Sequence, residues 1–185
     1  MRSPTISSRR AFTLIELLVV ISILAILMAM LFPAVSRALD NAKRTQAKND
    51  ATQIAAAIVA YQNEYGKLPP GAPSSDSTQD TSAIFDALSG TNTATDVNPR
   101  GIVFFTAPRV VSAKNGRLNG TGPYYDPWGQ AYWIAMDVKY ENAVKGPDNT
   151  SDSATIQKTA IVWSKGNPKY TSDFKNPAKY IKSWQ

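Results

Sequence analysis

The feature that most constrains this chain is an almost unbroken apolar run near its N-terminus. Residues 12–35 form a stretch of 24 residues in which only Thr13, Glu16 and Ser22 are strongly polar. At about 1.5 Å per residue, a helix of this length crosses a hydrocarbon core of roughly 30 Å. The rest of the chain is polar and rich in Gly, Pro, Asn, Ser and Thr. The sequence therefore predicts a lipid-compatible helix followed by a water-soluble domain.

Basic residues precede the apolar run. Arg2, Arg9 and Arg10 lie there with no acid among them. This arrangement predicts that the N-terminus stays in the cytoplasm and that the remainder is exported. The formal charge is +6 and falls to +3 without these three residues, so we expect no nucleic-acid partner. The other basic residues are scattered, with light clusters at Arg37, Lys43, Arg44 and Lys48.

The chain contains no Cys and no His. This excludes disulfides, thiol nucleophiles, Ser-His-Asp triads and zinc sites built from His or Cys. Acidic residues are sparse and no Gly-rich phosphate loop follows a predicted strand, which argues against a membrane-anchored enzyme. We therefore expect no catalytic residues. The soluble part must be held together by packing, or by a hard cation on oxygen ligands.

Three interpretations of the apolar run compete. It is a single-pass anchor, or a signal peptide cut after the small-x-small site at residues 36–38, or a helix whose leader is cut before the run. Glu16 distinguishes them, because a carboxylate near the start of a membrane helix is costly and usually has a partner and a task. A signal peptide or a simple anchor gains nothing from it. Glu16 therefore favours the third interpretation.

The residues around this boundary resemble a known family. Arg9-Arg10-Ala11 followed by Phe-Thr-Leu-Ile-Glu-Leu-Leu-Val-Val-Ile at 12–21 resembles the type IV pilin and type II secretion pseudopilin superfamily. There, a prepilin peptidase cuts just before the Phe and N-methylates it. The resemblance implies cleavage between Ala11 and Phe12. The family usually has Gly before the cut, but Ala11 is the next smallest residue and we expect processing.

The family's assembly mechanism suits these residues. Cleavage would leave a charged amine on Phe12, with which Glu16 of a neighbouring subunit can pair in a filament. An unpaired carboxylate in an apolar bundle is expensive, whereas a paired one fixes the axial register of the subunits. Pro33 falls at a position where many pilins and pseudopilins also carry proline. The resemblance thus gives Phe12, Glu16 and Pro33 roles in assembly.

A helical pattern continues beyond the membrane. Residues 34–65 lack Gly and Pro, and their apolar residues recur at spacings of three and four, as in an amphipathic helix. Gly66 and the Pro-Pro pair after Leu68 end the pattern. Pro33 predicts a kink or local unwinding. The apolar positions are Leu39, Ala42, Ala47, Ile54, Ala57, Ile58 and Tyr61.

The soluble domain shows weaker patterns. Thr81 to Leu88 resembles a short helix with one apolar side. The best strands are residues 131–138 and 159–164, which are rich in β-branched and aromatic residues. Residues 101–111 predict a short apolar segment or strand, interrupted at Pro108, and residues 115–123, with three Gly, predict a flexible loop. Trp128, Trp133 and Trp163 are expected to pack in the core of a small sheet rather than to form a ligand-binding face.

Three strings narrow the resemblance. Residues 61–69 (Tyr-Gln-Asn-Glu-Tyr-Gly-Lys-Leu-Pro), 126–129 (Asp-Pro-Trp-Gly) and 161–166 (Ile-Val-Trp-Ser-Lys-Gly) are similar to the major pseudopilin family, general secretion pathway protein G. This implies an α+β fold, with a long N-terminal α-helix, membrane-spanning in its first half and amphipathic in its second, packed on a small antiparallel β-sheet. Residues 70–125 do not match that family closely and are longer.

The same resemblance implies a calcium loop after the last strand, with Ser164, Asn167 and Asp173 as the candidate ligands. The stretch carries a single carboxylate, Asp173, with three lysines close by. Calcium takes six to eight oxygens and usually several carboxylates, so this donor set is poor. No other cofactor is expected.

The leading hypothesis is a subunit of a type II secretion-like pseudopilus. Its segments would be a leader at 1–11, a membrane and filament-core helix at 12–35, an amphipathic continuation at 36–65 and a periplasmic domain at 66–185. The implied partners are further copies, minor pseudopilins, the prepilin peptidase and the assembly platform of the bacterial inner membrane. Alternatives are a type IV pilin of a surface or DNA-uptake pilus, and a membrane-anchored binding module.

Overall fold

The computed structural model describes residues 12–71, 81–147, 155–168 and 180–184. The two helices in this part of the chain are α1 (Leu14–Tyr65) and α2 (Ser82–Leu88). The strands there are β1 (Arg109–Val110), β2 (Gly116–Leu118), β3 (Tyr124–Tyr125), β4 (Trp133–Met136), β5 (Val144–Lys145), β6 (Thr155–Ile156), β7 (Ala160–Ser164) and β8 (Ile181–Lys182). The α+β class and the long N-terminal helix expected from the sequence are confirmed.

Helix α1 is continuous over 52 residues and includes Pro33. Of the kink or local unwinding predicted at Pro33, the unwinding is wrong, because the helical assignment runs through this residue without a break, and the kink stays a prediction. Proline at this point removes one N–H from the ladder, and the many other hydrogen bonds of a long helix tolerate that loss. The helix ends at Tyr65, as predicted, and the next residue, Gly66, has a φ of +67°, the left-handed conformation that glycine adopts just after helix ends.

The chain divides into two compact units, residues 1–41 and 42–185. In the described part of the first unit, every side chain from Phe12 to Leu39 is exposed. Leu39 is 60% exposed, and Ala42 at the start of the second unit is exposed as well. Leu39 and Ala42 thus belong to the predicted apolar periodicity, but the buried stripe of α1 begins only at Ala47.

The core of the second unit forms where the C-terminal half of α1 packs against α2 and the sheets. Its α1 side chains recur at helical spacing, so they lie on one face and reach the core together. They are Ala47, Ala51, Ile54, Ala57, Ile58 and Tyr61. Helix α2 adds Ile84, Phe85, Ala87 and Leu88, and strands β4 and β7 add Ile134, Met136, Ala160 and Val162.

The described strands form three small sheets. In one of the two three-stranded sheets, β7 lies between β4 and β8 and is antiparallel to both. A second has the order β1-β2-β3, with β1 and β2 parallel, and β5 pairs with β6 in the third. The flexible loop predicted at 115–123 is thus wrong at β2. In the segment 101–111 only β1 is a strand. Residues 104, 105 and 107 instead pack into the core that contains the apolar residues of α2.

Side chains of β4 and β7 alternate between two faces. One face joins the α1 core, and the other carries Trp133 directly opposite Trp163, with ring centroids 6.2 Å apart and planes 13° apart. Trp184 meets Trp163 edge-on at 6.1 Å. Trp163 is 2% exposed, which confirms its predicted core role, and Trp133 and Trp128 are half-buried.

Asn98 holds together part of the segment 70–125, to which the sequence assigns no role. It is fully buried, and its Nδ2 donates to the carbonyls of Ala87 and Ile102, both at 2.8 Å. Its Oδ1 accepts from Ile102 N at 3.0 Å and from the Tyr65 hydroxyl at 2.6 Å. Asn98 therefore ties residues 98–102 both to α2 and to the end of α1.

Candidate processing and assembly site

The predicted processing site lies at the first described residue. Phe12 is 72% exposed and precedes the first turn of α1, and Ala11 lies outside the described residues. The cut between Ala11 and Phe12 and the N-methylation of Phe12 stay predictions.

Glu16 lies in the first turn of α1 and pairs with Thr13. Its Oε2 accepts from Thr13 N at 2.9 Å and from the Thr13 hydroxyl at 2.8 Å. Glu16 N in turn donates to Thr13 Oγ1 at 3.3 Å. This is a capping box, in which Thr13 is the N-cap and Glu16 the third helical residue, and each satisfies a donor of the other.

The capping box fixes the direction of the carboxylate. Both hydrogen bonds end on Oε2, and no described residue donates to Oε1. The chain thus itself holds one oxygen of Glu16. The sequence predicts a role for Glu16 and none for Thr13, although the Thr-x-x-Glu spacing is a readable signal for this cap.

The surface that follows Glu16 is apolar on all sides. Leucine, isoleucine, valine, methionine and phenylalanine side chains from Leu14 to Val35 are between 47% and 86% exposed. Among the described residues, α1 is the one helix long and apolar enough to cross a membrane. A helix that is apolar all round is either buried in a large assembly or surrounded by lipid.

Pro33 lies inside this apolar segment, where it has no N–H to donate. Three residues later, the Ser36 hydroxyl donates to the Phe32 carbonyl at 3.0 Å. Ser22 likewise donates to the carbonyl of Val19 at 2.8 Å. Both hydroxyls therefore donate within the helix, and Glu16 is the charged residue of the run from 12 to 35.

The candidate calcium ligands do not form a cation site in the described residues. The Ser164 hydroxyl is fully buried, donates to Asp126 Oδ2 and accepts from Gly166 N at 2.9 Å. Asn167 already has an interaction within the chain, and Asp173 lies outside the described residues. The described residues contain no group of three or more carboxylates that could hold a metal. With one carboxylate among three lysines, this donor set does not fit calcium.

Asp126 is the buried centre of the Asp-Pro-Trp-Gly turn. Its Oδ1 accepts from Trp128 N at 2.9 Å and from Gln130 N at 2.8 Å, and its Oδ2 accepts from Ser164. Burial raises the pKa of the Asp126 carboxyl, and these hydrogen bonds oppose the rise. Burial also raises the pKa of Asp50 on α1, against the opposing effect of the Tyr132 and Tyr124 hydroxyls.

These carboxylates belong to a hydrogen-bond network that connects several elements of the second unit. The Tyr132 hydroxyl bridges the Ala47 carbonyl and the Asp50 carboxylate at 3.4 and 3.3 Å, which links β-sheet and helix. Perturbed carboxylates also occur in structural networks, and the hydroxyls beside these two, from Ser164, Tyr124 and Tyr132, bond to the carboxylates themselves. No local sequence pattern predicts this network, because its members are spread over Ala47 to Ser164.

Comparison with known proteins bears on the N-terminus alone. The model of the prokaryotic N-terminal methylation motif matches residues 6–32, which include Phe12 and Glu16. No curated protein and no solved structure matches the chain significantly. The motif, lying at the start of a single long apolar helix that continues into a small α+β domain, indicates that this is a type IV pilin-like protein.

Proposed function

We propose that the chain is a structural subunit of a type II secretion-like pseudopilus and has no catalytic role. A prepilin peptidase would remove residues 1–11. Before assembly, the mature subunit would reside in the inner membrane with its soluble domain in the periplasm. The observation that carries this proposal is Glu16, held by Thr13 at the start of an exposed apolar helix. Further copies, minor pseudopilins and an inner-membrane assembly platform would be its partners.

The Oε1 atom of Glu16, to which no described residue donates, would form the ion pair of the assembly step. Cleavage before Phe12 creates an α-amine that is protonated at neutral pH. An amine from a neighbouring subunit can approach Oε1 while Thr13 keeps Oε2, so the carboxylate gains a cation without losing its cap. In an apolar surrounding such a pair is strongly favoured over an unpaired carboxylate.

The apolar surface by itself would not determine how the subunits are arranged in the filament. Lipid tails are as apolar as leucine, so moving residues 14–35 from lipid into a bundle of helices changes their hydrophobic free energy little. Packing brings the helices together, but it leaves their axial register weakly defined. The pair between Glu16 and a neighbour's amine would supply that register.

The choice of a secretion pseudopilus depends on the soluble domain. The strings at 126–129 and 161–166 resemble the major pseudopilin, and a direct hydrogen bond between Ser164 and Asp126 joins them. A type IV pilin of a surface or DNA-uptake pilus is the alternative. Deleting the gene tests the choice: a pseudopilus predicts loss of protein secretion with surface pili intact, and a pilin predicts the reverse.

Glu16→Gln tests the assembly step itself. We expect the variant to reach the membrane in wild-type amount and to be missing from filaments sheared from cells that overproduce the protein. Ser22→Ala is the matched control, because Ser22 is a polar residue of the same segment whose hydroxyl bonds within its own helix. Filaments of normal yield from Glu16→Gln, or equal losses from both variants, would contradict the proposed mechanism.

A further inference from the structure

The second compact unit, residues 42–185, carries an apolar groove beside the exposed side of α1. Its volume is about 440 Å³. Three alanines of α1 line one side, and the half-buried ring of Phe104, which meets Tyr61 edge-on with centroids 5.4 Å apart, lines the other. None of the described lining residues carries a charge. They include Gln53, Ala56, Ala57, Ala60, Phe104 and Thr106.

An acidic residue of α1 lies at each end of this groove. Residues 49–65 contain Asp50 and Glu64 and no basic residue. Asp50 precedes the first lining residue of α1 by three positions, and Glu64 follows the last by four, so both lie on the groove side of the helix. Glu64 pairs with Arg100, whose side chain is 67% exposed, and such an exposed pair contributes little and exchanges readily. The groove is therefore an apolar surface between two carboxylates.

A second apolar surface of the same unit lies at the ends of β1 and β2. Val111 is 94% exposed, and Leu118, which pairs with Val110 across the two strands, is 36% exposed. Arg109 and Lys114 flank Val111 and are exposed, and residues 109–120 contain no acid. Since its own chain leaves Val111 almost completely uncovered, this basic-flanked surface does not occupy the groove of the same subunit.

We propose that the apolar tip, formed by Val110, Val111 and Leu118, docks into the α1 groove of a second copy of the chain. The lengths match, because the groove extends about 10 Å along α1, over residues 53–60, and residues 110–113 span at most about 10 Å. The charges match as well, since two bases flank the tip and two acids bound the groove. The inference rests on the proposed function, because it concerns contacts between subunits of a filament.

A contact between the tip and the groove is of the kind that builds filaments. Tip and groove are different surfaces of one subunit, so each copy offers its tip to one neighbour and its groove to another. Such heterologous contacts produce open chains of subunits, whereas a contact between identical surfaces stops at a dimer. One tip in one groove is smaller than the roughly 1,200 Å² that a stable isolated interface buries, so the contact needs the packing of the apolar helices beside it.

Cysteine cross-linking tests the contact, because the chain has no Cys of its own. Val111→Cys on the tip and Ala60→Cys in the groove are both at exposed positions. The two are combined in the full-length protein, which is overproduced in cells and oxidised before electrophoresis; a disulfide forms only where the two Cα atoms come within about 7 Å. We expect the double variant to give a ladder of covalent oligomers and each single variant to stay monomeric. The two single variants produced together should give dimers and nothing larger.

A matched pair shows whether the cross-link is specific to the tip. Ala60→Cys combined with Lys139→Cys, an exposed position outside the tip, should stay monomeric. A ladder of equal intensity from this control, or dimers alone or no cross-link from the Ala60→Cys, Val111→Cys protein, would overturn the inference. The yield of sheared filaments from the same cells reports separately on the proposed function: filaments without a ladder overturn the tip contact alone, and the absence of filaments contradicts the proposed function as well.

Discussion

The Ser164 hydroxyl donates a hydrogen bond to the buried carboxylate of Asp126, which lies 38 residues earlier in the chain. The contact joins the end of strand β7 to the Asp-Pro-Trp-Gly turn before β4. It also gives Ser164, a candidate calcium ligand from the sequence, a structural partner. Gly166 N completes the link by donating to the same hydroxyl.

Ser164→Ala should therefore destabilise the soluble domain. The change removes a hydrogen bond to a buried carboxyl and leaves Gly166 N without its acceptor, a loss of about 2 kcal/mol. Urea unfolding followed by tryptophan fluorescence would measure it. Ser112→Ala, at an exposed position, is the control and should change the free energy of unfolding by less than about 0.5 kcal/mol. Equal stability of the two variants would show that the link contributes nothing.

The stability of the domain should fall as the pH rises from about 4 toward neutrality. Burial raises the pKa of Asp126 and of Asp50 above that of an unfolded Asp, about 3.9. Between the unfolded and folded pKa values the native state binds more protons than the unfolded state, so raising the pH favours unfolding. Urea midpoints across this range measure the slope, and Asp126→Asn should reduce it. A midpoint that rises with pH there would contradict these shifts.

Asp86→Asn should destabilise the domain more than the loss of an exposed ion pair does. Arg117 is 2% exposed and donates to Asp86 Oδ1 at 2.5 Å, so the variant leaves a buried guanidinium without its carboxylate. Because the Asp86 side chain is 42% exposed, we expect about 2–3 kcal/mol, below the roughly 3–5 kcal/mol of a fully buried pair.

Glu64→Gln provides the comparison for that prediction. It breaks the ion pair with Arg100, whose side chain is 67% exposed, and should cost at most about 1 kcal/mol. Both variants can be compared in the same urea titration. A larger loss of unfolding free energy in Glu64→Gln than in Asp86→Asn would show that burial does not determine how much these ion pairs stabilise the domain.

Thr13→Val should lower filament yield, whereas Thr13→Ser should preserve it. Valine has the shape of threonine but lacks the hydroxyl that donates to Glu16 and accepts from its backbone N–H. Loss of an N-cap costs about 0.5–2 kcal/mol and frees the carboxylate to change direction. Quantifying sheared filaments against membrane-bound subunit would measure the effect, and equal yields from the two variants would exclude a role for the cap.

The sequence predicted α1 well because its signals are local. An apolar run, a three-and-four periodicity and a glycine stop are all read within a few residues, and the helix ends at Tyr65 as expected. Periodicity identifies the apolar positions, Leu39 among them, but not which of them the rest of the chain covers. The Thr-x-x-Glu signal of the Thr13 cap is equally local.

The sheets were harder to predict because their partners are distant in the chain. Strand β2 begins at an Asn-Gly step that resembles a loop, and it exists because it pairs with β1 and β3. Gly116 permits this pairing, since a Cβ there would lie 2.3 Å from the Pro108 carbonyl oxygen. Asn98 likewise gave no signal in the sequence, because its four hydrogen bonds depend on the tertiary fold.

Mass spectrometry of the N-terminus of the membrane-bound protein tests the central claim most directly. If the chain is a processed pilin-like subunit, the mature protein begins at Phe12 and that residue carries an N-methyl group. The control is the same protein from cells without prepilin peptidase, which should retain Met1 and residues 2–11. A mature protein that begins near Leu39, as a signal peptide would leave it, or an uncut N-terminus in cells with the peptidase, would contradict the account.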